Sequence, residues 1–124
     1  MQLNFVRILS LVALAALVLP GAAFADAAAG KAPYDTNCMS CHGPLGKGDG
    51  PVGAVLNPPP RDFSKGDFKY DTDKDGTAGT DTDLTNVITK GAGAYGGSAL
   101  MAPWPALSSD EIANIVAYIR SLKE

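Results

Sequence analysis

Residues 35–44 read DTNCMSCHGP, and they hold both cysteines and the single histidine of a 124-residue chain. Cys38 and Cys41 stand three positions apart, with His42 directly behind. A chain that gathers every thiol and its lone imidazole into five positions uses them together. The rest of the sequence narrows how.

The chain opens MQLNFVRILSLVALAALVLPGAAFAD. Arg7 supplies a positive start, Ile8 to Leu19 is a largely apolar run, Pro20-Gly21 breaks it, and Ala23-Phe24-Ala25 is a small-x-small cleavage site. That is the pattern of a secretory leader, residues 1–25, and it leaves residues 26–124 as one small domain. The run is shorter than the roughly 20 residues of a membrane span. The expectation is an exported, periplasmic protein with no stable membrane insertion. Without Arg7, nine Lys and Arg face 13 Asp and Glu. Such an acidic balance argues against nucleic acid as a partner. A domain this small has a thin core and often leans on a metal, a cofactor or cross-links.

The chain reads as all-α with long loops. DAAAGKAPYDTNC (26–38) reads as a helix leading into the cysteines, with Pro33 expected in or near its first turn, where a missing N–H is tolerated. Gly30, Tyr34 and Cys38, spaced by four, share one face. From Gly43 to Gly79 the chain is dense in Gly, Pro and Asp, and NPPPRDF (57–63) suits neither a helix nor a central strand. A loop of that length in so small a domain needs an object to wrap. TDTDLTNVITKG (80–91) reads as a short helix, with caps among Thr80 to Thr82, an apolar stripe of Leu84, Val87 and Ile88, and Gly91 at its end. LSSDEIANIVAYIRSLKE (107–124) is the clearest helix: Ser108 with Glu111 makes a capping box, and Ile112, Ile115, Val116, Ile119 and Leu122 recur at helical spacing.

Four chemistries compete for Cys38-x-x-Cys41-His42. A structural disulfide suits an exported protein, but it does not require a histidine, and so short a loop restrains the unfolded chain little. A thiol–disulfide oxidoreductase places its motif in a βαβ setting, and no strand is legible here. Structural zinc needs a fourth ligand, and no other Cys or His exists. Covalent haem matches: in C-x-x-C-H two thiols add to the haem vinyl groups and the adjacent imidazole reaches the iron. One haem c also supplies the missing core and gives the proline loop its object.

A second axial ligand cannot be histidine. Met1 goes with the leader, and Met39 lies between the anchoring cysteines. Met101, in the Gly- and Pro-bounded YGGSALMAPWP (95–105), remains, with a lysine or an open position as its rivals.

With these residues in view, residues 27–123 resemble a class I c-type cytochrome, a small bacterial periplasmic monohaem cytochrome c. Gly30 and Tyr34 match the glycine and aromatic that pack the family's first helix across its last, and Tyr118 matches the aromatic on the last helix. Met101 followed by Pro103 resembles the ligand loop, with Met-Ala-Pro for the usual Met-Pro. GKGDGPVGAVLNPPPRDF (46–63) resembles a segment of some family members. The resemblance implies the cytochrome c fold, three or more helices wrapped with long loops around one haem, and a proline carbonyl (from Pro58, Pro59 or Pro60) accepting the Nδ1–H of His42. It places Arg61 and Trp104 as neighbours of the haem propionates. It implies a monomeric carrier of single electrons between redox partner proteins, not an enzyme, with His42 and Met101 on the iron. The alternative is a haem-based binder or sensor of small ligands, in which Met101 is displaced.

KYDTDKDGTAGTDTD (69–83) is longer than the family usually carries there. Asp71-x-Asp73-x-Asp75-Gly76 opens like an EF-hand calcium loop, but Thr82 stands where a bidentate Glu belongs. The segment reads instead as an acidic loop near the haem edge, complementary to a basic patch on a redox partner.

Overall fold

The computed structural model describes residues 24–124; the expected leader lies outside them except for Phe24 and Ala25. Four α-helices and three short 3₁₀ turns are joined by loops, and the described residues contain no strand. No described helix is long and apolar enough to cross a membrane.

Helix α1 (Ala27–Asn37) begins where Asp26 caps it, its carboxylate accepting the Ala28 amide at 2.8 Å. Pro33 falls inside this helix, not in its first turn. The Ala29 carbonyl that Pro33 leaves without a donor belongs to an exposed residue, so water can satisfy it. Cys38 is the joint to α2 (Met39–His42), a single turn that carries the rest of the motif.

Helix α3 (Asp81–Lys90) starts at Thr80 in a capping box completed by Asp83, and stops at Gly91, whose φ of 80° suits glycine. Helix α4 (Ser109–Ser121) starts in the expected box, with Ser108 Oγ accepting the Glu111 amide and Glu111 accepting the Ser108 amide.

Helices α1 and α4 form the main crossing. A side chain at Gly30 would overlap the Asn114 carbonyl oxygen, so only glycine lets the two backbones approach. One turn on, the Tyr34 and Tyr118 rings meet at 4.9 Å with planes tilted by 59°. Ile112, Ile115, Val116 and Ile119 of α4 are buried together with Tyr34, Leu84, Ile88 and Phe63, and Leu122 packs at the edge. Each such aliphatic side chain contributes about 1.5–3 kcal/mol on burial. This core is one-sided, and its other flank is the wall of a cavity.

Candidate functional site

The C-x-x-C-H turn is held from behind by the chain that follows it. The amides of Gly48, Gly50 and Val52 return to the carbonyls of His42, Cys41 and Ser40 at 2.8, 3.2 and 2.9 Å. Close return needs a bare backbone: a Cβ at Gly53 would overlap the Cys41 carbonyl oxygen. Tyr34 adds a side-chain tie, donating its hydroxyl to the Gly43 carbonyl at 2.7 Å within the core. Cys38 and Cys41 are not joined to each other by a disulfide. Burial, with Cys41 nearby, pushes the Cys38 thiol up to about 11.

His42 has its Nδ1 at 3.2 Å from the Arg61 carbonyl oxygen. An Nδ1–H donating there leaves the Nε2 lone pair free for a metal. Burial holds the imidazole below its ordinary pKa, against the opposing pull of that carbonyl, so the ring is neutral and ligand-competent. The acceptor is therefore not Pro58, Pro59 or Pro60, as the resemblance implied, but the next residue. The Pro60 carbonyl lies over Gly48, where a Cβ would stand 2.5 Å from it. The following carbonyl is the one that meets the ring.

His42 and Met101 line the same cavity, of ≈ 440 Å³. That size lies within the roughly 300–1,000 Å³ of ligand pockets. Cys41, the three prolines, Arg61 and Phe63 contribute to its lining, and Leu84, Val87, Ile88 and Ile119 bring in the core. Phe68, Tyr70 and Leu100 add to the apolar share. Met101 is fixed through its backbone: its carbonyl accepts the Ala92 amide at 3.1 Å, and its amide donates to the Ser98 carbonyl at 3.2 Å. An imidazole and a thioether among the residues that line one largely apolar cavity, together with Cys41, are a donor set that fits haem iron.

Two expected neighbours of the propionates separate. Arg61 lines the cavity, with its guanidinium 3.4 Å from Asp67. Trp104 does not line it; its amide donates to the Ile88 carbonyl at 2.9 Å, and the side chain packs on the hydrophobic core.

The acidic segment is tied down by a residue that composition did not single out. Asp83 is 1% exposed. Its carboxylate accepts from the amide and hydroxyl of Thr72 at 2.5 and 2.7 Å, and from the amide and hydroxyl of Thr80 at 2.8 Å each. These bonds, led by the Thr72 amide, hold its carboxyl far below the usual carboxylate range. Arg120 of α4 closes the other side, donating to the Gly79 carbonyl and pairing with Asp81 at 2.9 Å. The segment is thus a built wall of the cavity, to which Lys69, Tyr70 and Gly79 contribute. Asp71 accepts the amides of Asp75 and Gly76, and Asp75 accepts that of Thr77. The calcium-like carboxylates thereby close their own loop. Two further residues escaped the sequence reading: Phe63, whose ring stacks on His42, and Tyr70, whose hydroxyl abuts Gly97 of the Met101 loop. Their only signal was being large aromatics in otherwise polar loops.

No curated protein matches the chain. Among solved structures, it is similar to a chain of the "Kuenenia stuttgartiensis reducing HAO-like protein complex Kustc0457/Kustc0458", with a TM-score of 0.65 and 33% identity over 77% of this chain. The match spans 41% of that longer chain, about two fifths of its length. The family described as cytochrome c matches residues 27–123. With that match over nearly the whole described chain, and with an all-helical fold that walls one largely apolar cavity, the protein belongs to the cytochrome c family, whose members bind haem c covalently and transfer electrons through it.

Proposed function

We propose that the chain is a periplasmic monohaem cytochrome c that carries single electrons between redox partner proteins and catalyses no reaction of its own. Cys38 and Cys41 would form the thioether links to the haem, and His42 and Met101 would hold its iron. The observation that carries the reading is that His42, with Nδ1 already engaged by a carbonyl, and Met101 line one largely apolar cavity although they stand 59 positions apart in sequence.

When bound, haem c supplies a one-electron iron couple. The chain's own residues keep that couple in one geometry. The Arg61 carbonyl orients the imidazole, and the return bonds of Gly48, Gly50 and Val52 hold the turn that bears it. The Ala92 and Ser98 bonds hold Met101 on its own side. Prolines and core aliphatics exclude water. A pocket fixed on both sides changes little on electron gain, which suits outer-sphere transfer. The two backbone bonds on Met101 favour a fixed ligand over the displaceable one that a gas sensor needs.

The test is the visible spectrum of the purified protein, oxidised and then dithionite-reduced, with and without carbon monoxide, together with a pyridine haemochrome count. Sharp reduced c-type bands, a weak far-red sulfur-to-iron band when oxidised, one haem per chain and no response to carbon monoxide are expected. A carbon-monoxide-responsive spectrum would replace the carrier with the ligand-binding alternative.

A further inference from the structure

The imidazole of His42 is gripped at two places by one short segment. Its edge meets the Arg61 carbonyl at 3.2 Å. Its face meets the ring of Phe63, two residues further on, with centroids 4.4 Å apart and planes only 16° from parallel. We infer that Phe63 is a positioning residue for the ligand: it fixes the plane of the His42 ring and stabilises the oxidised form of the iron that the ring ligates. The inference rests on His42 being an iron ligand, as proposed above.

Phe63 is built to hold still. It is 8% exposed, in a 3₁₀ turn (Phe63–Lys65) capped by Asp62, whose carboxylate accepts both the amide and the hydroxyl of Ser64. The Phe63 amide donates to the Gly46 carbonyl at 2.6 Å, and its ring edge presses on Gly46, where a Cβ would lie 3.0 Å from Cδ2. Phe68 backs it at 5.9 Å. At the other end of the turn the Glu124 amide donates to the Ser64 carbonyl at 3.0 Å, tying in the end of the chain after α4.

A hydrogen bond at one ring nitrogen leaves the imidazole free to swing about the axis through that bond. A ring stacked on its face removes that freedom, so edge and face together determine the plane. The plane of an axial imidazole in turn decides which of the iron's two nearly degenerate π orbitals holds the odd electron of the ferric state. The stack also acts on the redox balance. Ferric iron draws more electron density from the imidazole than ferrous iron does, and the negative face of Phe63 meets that more positive ring. The contact therefore favours the oxidised protein.

The direct test uses the unaltered, haem-loaded protein in its reduced, diamagnetic state. The His42 ring protons should be shifted far upfield by the porphyrin ring current, and nuclear Overhauser contacts should join them to the Phe63 ring protons. Upfield-shifted His42 protons with no contact to Phe63 would overturn this inference and leave the ligand assignment standing; unshifted His42 protons would overturn the ligand assignment itself. Phe63→Leu keeps an apolar side chain and removes the π face. It should shift the oxidised-to-reduced ratio at fixed poise toward reduced protein by about two- to five-fold, and change the spread of ferric g values. Phe63→Tyr should restore both. A Leu variant with normal haem content, an unchanged ratio and unchanged g values would overturn the role.

Discussion

Around His42, three consecutive carbonyls, those of Ser40, Cys41 and His42, receive amides from the loop that follows, and Tyr34, Arg61 and Phe63 close on the turn from three further directions. Around Met101, its own backbone makes two hydrogen bonds, Gly97 and Trp104 on either side add bonds to Ala92 and Ile88, and Leu100 beside it is exposed at 58%. The His42 side is closed within residues 34–63, where glycines and a ring stack leave no slack. The Met101 side hangs from the turn that ends α3. One side of the pocket is over-determined and the other is adequate. Substitutions should show which of the two the site depends on.

The largest contrast is between the two proposed ligands, His42 and Met101. His42→Ala should yield little haem-loaded protein, because the turn loses the group that Arg61 and Phe63 enclose. Met101→Ala should keep its covalent haem but turn from unresponsive to fully responsive to carbon monoxide when reduced. Absorption spectra of both variants, with pyridine haemochrome yields, decide this; equal haem loss in the two would erase the asymmetry.

A glycine pair probes the backbones. Gly53→Ala forces a Cβ into the Cys41 carbonyl and should cost about 3 kcal/mol, the upper end for overpacking. Gly93→Ala, on the Met101 side, meets nothing nearer than Ala99 Cα at 3.4 Å and should stay within about 0.5 kcal/mol of neutral. Denaturant unfolding of the two variants side by side is the measurement.

The wall over the cavity gives a pH test. The folded-state pKa of Asp83 is depressed by its four hydrogen bonds. Its contribution is therefore present above the ordinary carboxylate value of about 3.9 and is lost as pH falls from there toward the lower folded value. Asp62 and Glu111 are shifted the same way by their Ser64 and Ser108 bonds. Stability measured by urea unfolding should decline steadily as pH drops below about 4. Asp83→Asn should start lower at neutral pH and decline less; an unchanged slope would mean that the segment is held by other contacts.

The smallest effect is expected at the exposed carboxylates of the same segment. Asp73→Asn with Asp75→Asn should slow electron transfer to a basic redox protein at low salt, with the difference vanishing at high salt. Stopped-flow rates across a salt series would show it, and identical rates at every salt would remove the loop from docking.

Much of this was legible because the physics involved is local. The C-x-x-C-H spacing, the Ser108–Glu111 box, the α4 stripe and the glycine–tyrosine pair on α1 each lie within a few turns of chain, where helical periodicity alone puts residues on a common face. Met101 was singled out because the alternatives were so few, and the structure places it in the lining of the same cavity as His42. Pro33 was misplaced by half a helix, since Asp26, not the proline, set where α1 begins.

What the sequence determined by itself was the class of the protein, its main helices and which residues are candidates to hold the haem, since these follow from residue type and spacing. The tertiary structure alone decided that Arg61 and not a proline accepts from His42, that Phe63 covers the imidazole face, that Trp104 packs against the core and that Asp83 binds the acidic segment as a wall. In each case the partners lie 11 to 21 residues apart in sequence, or the choice falls between adjacent residues of an extended chain. An extended segment has no periodicity to say which carbonyl faces a ring; its register is set only by what packs against it, here the bare backbones of Gly46 and Gly48.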